Sequence, residues 1–409
     1  MNKIPNGWKE KKLKYIAEIT SSKRIYEYEY VDSGIPFYRG KEITALKNNQ
    51  KIENFIYISE KRYNELKEKY GVPSKYDILI TAVGTVGNAY TIEDDKPFYF
   101  KDGNLLWLKN IKEYPKFVEY LFECNKNVLL NNFFGSVQHA LTISRLENLT
   151  FYFPPLDEQK RIASALSKID AYLENTIKLI EEKERFKRGI AKKLLTCKEG
   201  ENIPEARFKG FEDEWEIVKL GDICLINNKS LKENTDKNYK FKYIDLTAVK
   251  KGIINFSNDY TTFENAPISA RRIINKNDII MATVRPYLLG HAFIDFEAKD
   301  YICSKGFAVL TANSNIEMKY IYQYLYSDDM AKQIKSRLVG STYPTIRLSD
   351  IKELKIKIPK SIKEQEKIGG YLSLLDAEID NLKKQKELIK EMKRVAMQKL
   401  LSGEVRLLE

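Results

Sequence analysis

The stretch DEQKRIASALSKID at residues 157–170 occurs a second time, in altered form, as KEQEKIGGYLSLLD at residues 363–376. When the chain is compared with itself at the offset that brings Glu158 onto Glu364, the match continues without a gap as far as Leu195. The identical pairs include Gln159/Gln365, Asp170/Asp376, Asn175/Asn381, Arg188/Arg394 and Leu194/Leu400. Such self-similarity indicates an internal repeat, so each half of the chain should build the same structural unit.

Both copies of the repeated stretch have the apolar spacing of a long amphipathic helix. The residues of the two apolar stripes are Ile162, Leu166, Ile169, Leu173, Ile177, Ile180 and Ile190, and Ile368, Leu372, Leu375, Ile379, Leu382, Ile389, Ala396 and Leu400. The pattern predicts one helix over residues 156–197 and a second over residues 361–409, each about 60 Å long at 1.5 Å per residue. The simplest way to bury both stripes is an antiparallel coiled coil between them. Two separate coiled coils with partner chains remain the alternative.

Residues at the helix ends support these boundaries. The sequence from Ser361 to Glu364 has the spacing of a capping box, and Pro155 stands where proline is tolerated at a helix start. Gly200 and Gly403 follow the two helices as stop signals. The pair at residues 369–370 is Gly-Gly, which is unfavourable inside a helix and would permit the close approach of another backbone.

The segments that precede the helices also match each other, although more weakly. The spacing W-x4-L-x2-I occurs at residues 8–16 and again at residues 215–223, and strand-like runs end at Pro154 and Pro359. Short apolar runs bounded by turn residues indicate strand-rich heads that also contain helices. We therefore predict an α/β (α+β) chain with an approximate two-fold repeat. Its domains would be a first head at 1–155, a linker at 198–214 that overlaps the start of the second repeat, and a second head at 208–360.

Composition limits the possible partners. The chain has 409 residues, with 69 Lys and Arg against 57 Asp and Glu, and a net charge of +12. This excess favours a polyanionic partner such as nucleic acid, although a Lys-rich protein without such a partner would look the same. Four scattered cysteines and two histidines indicate neither a disulfide framework nor a His-based metal site. The absence of a long apolar run argues against a signal peptide or a membrane span, as expected for a soluble protein of a reducing compartment.

No motif for a catalytic centre is evident. The only Pro-Pro, at residues 154–155, lacks the flanking Asn or Asp and the aromatic residue of an adenine methyltransferase, so it reads as a strand-to-helix turn. No phosphate-binding loop or dinucleotide fingerprint is present, because the glycines at 84 and 87 have the wrong spacing. Glu297 and Lys299, with Asp278 upstream, have the form of a metal-dependent nuclease motif. The first head has no equivalent, and Glu-x-Lys is common in a charged sequence.

These marks together resemble the DNA-specificity (S) subunit of a type I restriction-modification enzyme, over essentially the whole chain. The resemblance is carried by the Glu-Gln helix entries at 155–159 and 363–365, the Lys-Leu-Leu helix ends at 193–195 and 399–401, and the join RFKGFEDEWE at 207–216. It implies that each head is a target-recognition domain that reads one half of a split double-stranded DNA target. The two helices would form a conserved-type spacer that sets the gap between the half-sites.

The resemblance also implies partners and cofactors. Two modification (methyltransferase) subunits would dock on the helices for adenine methylation, and restriction/translocase subunits would add cleavage. S-adenosylmethionine, ATP and Mg²⁺ would be held by those partners, with no cofactor or metal on this chain. A cytoplasmic location in a prokaryote, without membrane association, is expected. The alternative is a two-headed coiled-coil scaffold that binds proteins rather than DNA, and a less favoured one is a nuclease that uses Glu297 and Lys299.

Polar, basic and aromatic residues at turns of the heads are the candidates for DNA contact, because Arg and Lys recognise guanine edges and Asn and Gln recognise adenine edges. In the first head they are Tyr38, Arg39, Lys41, Thr85, Asn88, Ser136, Gln138 and His139. In the second head they are Arg271, Arg272, Arg285, Tyr287, Ser304, Lys305, Ser341, Tyr343 and Arg347. For each of them, a solvated charge, a phosphate contact or a core hydroxyl is the alternative interpretation.

Overall fold

The computed structural model describes residues 5–131, 140–313 and 315–408. The chain divides into two compact units. The first comprises the described residues of Met1–Thr176 and Gln385–Glu409, and the second comprises those of Ile177–Lys384. Each unit therefore contains one head and part of each long helix. None of the described helices is long and apolar enough to cross a membrane.

The first head alternates short strands and short helices. Its elements are, in chain order, β1 (Lys9–Lys12), α1 (Leu13–Ile16), β2 (Glu18–Thr20), a 3-10 helix (Glu27–Glu29), β3 (Tyr30–Val31), β4 (Ile35–Tyr38), α2 (Gly40–Lys47), β5 (Ile56–Ile58), α3 (Glu60–Tyr70), β6 (Ile78–Thr81), β7 (Ala89–Thr91), β8 (Tyr99–Phe100), β9 (Leu105–Lys109), α4 (Pro115–Cys124), α5 (Lys126–Asn131), α6 (Ile143–Asn148) and β10 (Thr150–Phe153). The long helix α7 (Leu156–Leu195) follows directly.

The second head has a related but not identical set of elements. They are, in chain order, β11 (Glu216–Lys219), α8 (Leu220–Ile223), β12 (Cys224–Ile226), β13 (Lys240–Ile244), a 3-10 helix (Leu246–Ala248), β14 (Val249–Lys250), β15 (Ile253–Ile254), β16 (Thr261–Thr262), β17 (Ala270–Ile273), β18 (Ile279–Ala282), a 3-10 helix (Pro286–Leu288), β19 (His291–Phe293), β20 (Tyr301–Ser304), β21 (Phe307–Ala312), α9 (Met318–Tyr324), α10 (Asp328–Lys335), α11 (Leu348–Lys352) and β22 (Lys355–Ile358). The second long helix, α12 (Ile362–Leu401), completes the repeat.

The sheets show the repeat more clearly than the sequence does. A four-stranded antiparallel sheet has the order β2-β9-β6-β7 in the first head and β12-β21-β18-β19 in the second. A second sheet contains the parallel pair β4 and β8 in the first head, and β13 and β20 in the second. In each head the strand that enters the long helix pairs with the first strand, β1 with β10 and β11 with β22. The two heads therefore share one fold, as the internal repeat predicts.

Within each unit, α7 and α12 run antiparallel. In the first unit, Ile162 and Leu166 of α7 share a hydrophobic core with Met397 and Leu400 of α12. In the second unit, Leu194 and Leu195 pack in the same way with Ile368 and Leu372. Matching ion pairs link the helices, with Lys393 to Asp170 at 2.7 Å in the first unit and Lys187 to Asp376 in the second. The predicted antiparallel coiled coil is confirmed, although Ile177 of the predicted stripe is 37% exposed.

The repeated Glu-Gln pair has one structural role in each unit. Glu158 accepts hydrogen bonds from Nε and Nη2 of Arg406 at 2.6 and 2.7 Å. Glu364 accepts hydrogen bonds from Nε and Nη2 of Arg207, both at 2.8 Å. Each arginine follows the C-terminal end of the other long helix. The ion pair therefore links the end of one long helix to the start of the other within the same unit. The predicted capping-box role of Glu364 is therefore wrong, because its buried carboxylate bonds to Arg207 and to the indole of Trp215 instead.

The glutamine of each pair connects its long helix to a helix of the head. Gln159 accepts from the backbone amide of Tyr114 at 3.0 Å and donates to the carbonyl of Pro154 at 2.9 Å. Gln365 makes the corresponding bonds, accepting from Glu317 at 3.0 Å and donating to Pro359 at 2.8 Å. Both glutamines are buried. A buried amide with satisfied donors and acceptors fixes the angle at which the head meets the helix, because any other angle would leave polar atoms unpaired.

Candidate nucleic-acid interface

Corresponding loops follow the buried central strand of each head, and we call residues 82–88 loop A and residues 283–290 loop B. The strands that precede them, β6 and β18, are buried at every position. Side chains that could contact a ligand are therefore found in the loops and not in these strands. Both loops contain left-handed backbone. In loop A, Gly84 and Gly87 supply it with φ of 78° and 82°, whereas loop B uses Arg285 and Leu289 with φ of 46° and 57°.

In the first head, loop A forms one wall of an open cleft of about 420 Å³. The lining residues are Arg39, Gly40, Lys41, Val83, Gly84, Thr85 and Asn104. The structure thus brings together Arg39, Lys41 and Thr85, three of the residues predicted to contact DNA. Lys41 and Thr85 are exposed, so both can reach a ligand in the cleft.

Arg39 is held in place by Glu42. Its Nε and Nη2 donate to the two carboxylate oxygens of Glu42 at 3.2 and 2.8 Å. Burial raises the pKa of the Glu42 carboxyl, but the hydrogen bonds from Arg39 outweigh burial and keep the pKa below its ordinary value. Glu42 is therefore anionic at neutral pH and neutralises much of the Arg39 charge. Arg39 is rigidly placed at the cleft, but its free donors are fewer than the sequence suggests.

A chain of polar side chains lies behind loop A. Lys126 donates to Oδ1 of Asn88 at 2.6 Å, and Nδ2 of Asn88 donates to the Thr44 hydroxyl at 3.1 Å. Thr44 and Thr85 are within 3.4 Å through their hydroxyls. The pKa of Lys126 is lowered by its partial burial and by nearby Lys47. No local pattern in the sequence pointed to Lys126 or Thr44, since both lie in helices far from loop A along the chain.

Tyr38 is the weakest of the described candidates in the first head. Its ring is half-buried and stacks on Phe98 with 4.7 Å between centroids. Burial raises the pKa of its hydroxyl. The Tyr38 side chain packs against the hydrophobic core of the head. Its role as a DNA contact remains a prediction. Ser136, Gln138 and His139 lie outside the described residues.

In the second head, Arg285 of loop B stacks on the ring of Tyr343. The guanidinium lies 4.4 Å from the ring centroid of Tyr343, and Nη2 donates to the carbonyl of Thr342 at 3.3 Å. Tyr343 is 64% exposed, and Tyr287 in loop B is 51% exposed. Ser341 and Arg347, in the same and the following turns, are exposed as well. These five predicted residues therefore lie in loop B and in the segment 339–347, which hydrogen-bonds to loop B through the amide of Arg285 and the carbonyl of Thr283.

The other four candidates of this head, Lys305, Ser304, Arg271 and Arg272, differ in how exposed they are. Lys305 is exposed at the turn between β20 and β21, whereas Ser304 is buried and its hydroxyl accepts from the amide of Gly306 at 3.1 Å. Ser304 thus supports the turn from inside. Arg271 stacks on Phe263 at 4.3 Å, and Arg272 donates to Ser230 at 2.9 Å, both on strand β17 of the other sheet.

The nuclease-like motif has a structural explanation. Asp278 is buried and accepts from the amide of Asn275 at 2.7 Å and from the hydroxyl of Thr311 at 2.7 Å. Asp77, its counterpart in the first head, accepts in the same way from the amide of Ser74 at 3.0 Å. Glu297 forms a surface ion pair with Lys276 at 3.1 Å. In the described parts of the chain, no cluster of His, Cys, Asp and Glu suited to a metal ion is found.

Two strand-rich heads with corresponding exposed loops, and two long helices that pair within each unit, define a two-headed protein with an internal repeat. A family model described as "Type I restriction modification DNA specificity domain" matches it twice, at residues 5–182 and 212–391. The chain therefore belongs to this family, and the match falls on both heads and on most of both long helices. The resemblance drawn from the sequence is confirmed.

Full-length relatives carry corresponding names. The putative type I restriction enzyme MjaX specificity subunit of Methanocaldococcus jannaschii is 24% identical over 99% of this chain and 95% of its own length. The MjaIX specificity subunit of the same organism is 26% identical over 100% of this chain and 96% of its own. These names agree with the expectation of a targeting chain rather than a catalytic one.

Solved structures show the same fold. The S subunit of a type I restriction-modification system from M. genitalium has a TM-score of 0.61 at 20% identity, with 98% of each chain covered. A chain from a structure of the type I R-M system, titled for complex assembly and conformational transition, has a TM-score of 0.55 at 14% identity, covering 99% of this chain.

Proposed function

We propose that this chain is the DNA sequence-specificity subunit of a type I restriction-modification system. Each head, predicted at 1–155 and 208–360, reads one half of a bipartite duplex target through the residues around loops A and B. The observation that carries the proposal is the twofold match of the family model to heads whose folds agree but whose loops differ. Heads of one fold with different loop chemistry suit the reading of two different half-sites.

The chemistry of the loops supports base recognition. Loop A offers the exposed hydroxyl of Thr85, which suits base edges and water-mediated contacts, while Asn88 is held by Lys126 and Thr44 behind the loop. Loop B and its neighbours offer Arg285 and Arg347, which suit guanine edges or phosphates. A net charge of +12 adds a sequence-independent attraction to DNA.

The long helices are proposed to set the gap between the half-sites and to dock two modification subunits, which carry out adenine methylation. A restriction subunit joins the same assembly for cleavage. The proposal assigns S-adenosylmethionine, ATP and Mg²⁺ to those partners. Exposed apolar side chains on the helices, among them Phe186 and Met392, are consistent with protein docking along this part of the chain.

Methylome sequencing tests the proposal directly. The chain is expressed beside its cognate modification subunit, and the modification subunit alone is the control. A split methylated motif that appears only with the chain is expected, and it reports both half-sites at once. If no chain-dependent motif appears while the modification subunit is active, the protein-binding scaffold becomes the better account.

Two further arms sharpen that experiment. Replacing residues 208–360 by the corresponding head of another family member should change only one half of the motif, and a change in both halves contradicts the modular reading. The DNA affinity of the assembled subunits should fall steeply with salt, because each neutralised phosphate releases counterions. A scaffold whose positive charge is incidental would show no such dependence.

A further inference from the structure

Loop B exposes two adjacent apolar side chains at its tip, whereas loop A exposes one, Val83, at 46%. Tyr287 and Leu288 are 51% and 58% exposed, while Pro286 is buried beneath them. On either side, Arg285 and Leu289 adopt left-handed backbone, a conformation that strains any residue with a Cβ. Loop A obtains left-handed backbone with glycines. In the second head, the backbone is therefore strained on both sides of the tip, at Arg285 and at Leu289. Backbone strain of this kind is typical of functional sites.

The tip is fixed from several directions by backbone hydrogen bonds. The amide of Arg285 donates to Pro344 at 2.7 Å, and the amide of Lys251 donates to the carbonyl of Leu289 at 3.0 Å. Thr283 donates to the carbonyl of Gly306 through its amide and its hydroxyl, both at 2.8 Å. An exposed apolar pair on such a braced turn loses little conformational entropy when it contacts a partner.

The charge on the segments that hydrogen-bond to loop B is of one sign, although helix α10, which packs on the 3-10 helix Pro286–Leu288, begins with Asp328 and Asp329. The segments that hydrogen-bond to loop B are 249–253, 303–307 and 339–347, and together with loop B they contain no Asp or Glu. Their cations are Lys250, Lys251, Arg285, Lys305 and Arg347. In a chain with 57 acidic residues, an apolar tip whose hydrogen-bonded neighbours carry five cations and no carboxylate fits a polyanion with an apolar interior.

We propose that Tyr287 and Leu288 insert into the base stack of the DNA half-site read by the second head, and that the first head reads its half-site without such a wedge. The inference rests on the proposed function and adds a mechanism to it. Duplex DNA is the partner that combines dense negative charge with apolar surface between its bases. Apolar wedges unstack a step at an energetic cost, so the site should favour a flexible pyrimidine–purine step at the wedge.

The Arg285–Tyr343 stack supports the insertion. It lies beside the tip and presents a planar cation next to a 64% exposed aromatic ring. These groups are suited to contact the phosphates and base edges that flank an opened step. The wedge therefore supplies shape-dependent recognition, while neighbouring side chains supply contacts that depend on charge.

The test uses the chain assembled with its cognate modification subunits and a duplex that carries the methylated motif with 2-aminopurine at successive positions of both half-sites. We expect fluorescence to rise on binding at one step of one half-site only. Leu288→Ala should abolish that rise and weaken binding at least tenfold. The dependence of affinity on salt should not change, because Leu288 contacts no phosphate. Ile217→Ala, which truncates a 53% exposed side chain on β11, is the matched control.

Each outcome has a definite meaning. If the wild-type assembly does not bind the duplex, both the proposed function and the wedge fail. If wild type binds and Leu288→Ala binds equally with the same fluorescence, the wedge alone is wrong. If Leu288→Ala impairs assembly with the modification subunits in the absence of DNA, the tip is a protein contact and the proposal is overturned.

Discussion

A buried carboxylate at the start of each long helix is neutralised by an arginine from beyond the end of the other helix. Glu364 is 1% exposed and Arg207 is 13% exposed in the second unit, and Glu158 and Arg406 repeat the arrangement in the first. An isolated carboxylate in such a place would carry a large desolvation cost. The bidentate geometry offsets this cost and fixes the guanidinium in one orientation. The pair thus specifies where the helix, the linker and the head come together within each unit.

Removing one partner of this pair should be severely destabilising. Arg207→Ala leaves Glu364 buried without a counter-charge, so we expect the free energy of unfolding to fall by about 3 kcal/mol, measured by urea denaturation. Arg394→Ala is the matched control, since Arg394 pairs with Glu391 on an exposed helix surface and should change stability little. Equal effects of the two variants would contradict the structural role of the Glu-Gln repeat.

At the same scale, the sequence identified residue types better than residue roles. It singled out Glu364, but it predicted a local cap where the structure has an ion pair with Arg207, 157 residues away. It singled out Ser304 as a possible DNA contact, but the hydroxyl faces the turn. It missed Lys126, whose contact with Asn88 depends on how α5 packs on loop A. Such contacts are set by tertiary structure and leave no local pattern.

Among the elements, the long helices carried the clearest signal, because an apolar stripe sustained over 40 residues fits no other structure. The short strands of the heads carried less. Their pairing includes the parallel partners β4 with β8 and β13 with β20, which are distant in sequence. The strands that enter the long helices, β10 and β22, were anticipated, because strand-like runs that end at Pro154 and Pro359 are visible in the sequence.

Adjacent glycines in α12 allow a sharp test of helix–head packing. A Cβ on Gly369 would lie 2.6 Å from the backbone nitrogen of Tyr320 and 2.9 Å from the carbonyl carbon of Lys319, at the start of α9. A Cβ on Gly370 would meet nothing within 4 Å. Gly369→Ala should therefore destabilise the protein by about 1–3 kcal/mol through overpacking. Gly370→Ala should stabilise it by up to about 1 kcal/mol, because alanine favours the helix.

Thermal unfolding of the two variants is the measurement. Opposite shifts in Tm are expected from neighbouring positions, and the wild type lies between them. Two shifts of the same sign would mean that α9 does not approach the backbone of α12 at Gly369. The Gly-Gly pair, unfavourable by helix propensity alone, would then have no packing explanation.

Across the whole molecule, the two halves share their helices and buried ion pairs but differ in the loops of their heads. The helices, the Glu-Gln pairs and the arginines that bind them are repeated with matching geometry. The loops are not, since loop A presents Val83 and Thr85 to a cleft while loop B has a braced tip of Tyr287 and Leu288. If both long helices dock modification subunits, their shared structure is explained. If the two heads read different half-sites, the difference between loop A and loop B is explained. A protein-binding scaffold with two identical partners would have no reason for that divergence.

The proposed spacer makes a quantitative prediction. Four residues with helical spacing, inserted after Thr176 in α7 and after Lys384 in α12, lengthen each helix by about 6 Å and little more than one turn. The apolar stripes stay in phase, so both units should fold unchanged. Since DNA rises about 3.4 Å per base pair, the gap in the methylated motif should grow by one or two base pairs. Methylome sequencing measures the gap and both half-site sequences in one experiment. An unchanged gap, or an altered half-site sequence, would show that the helices do not set the distance between the two reading heads.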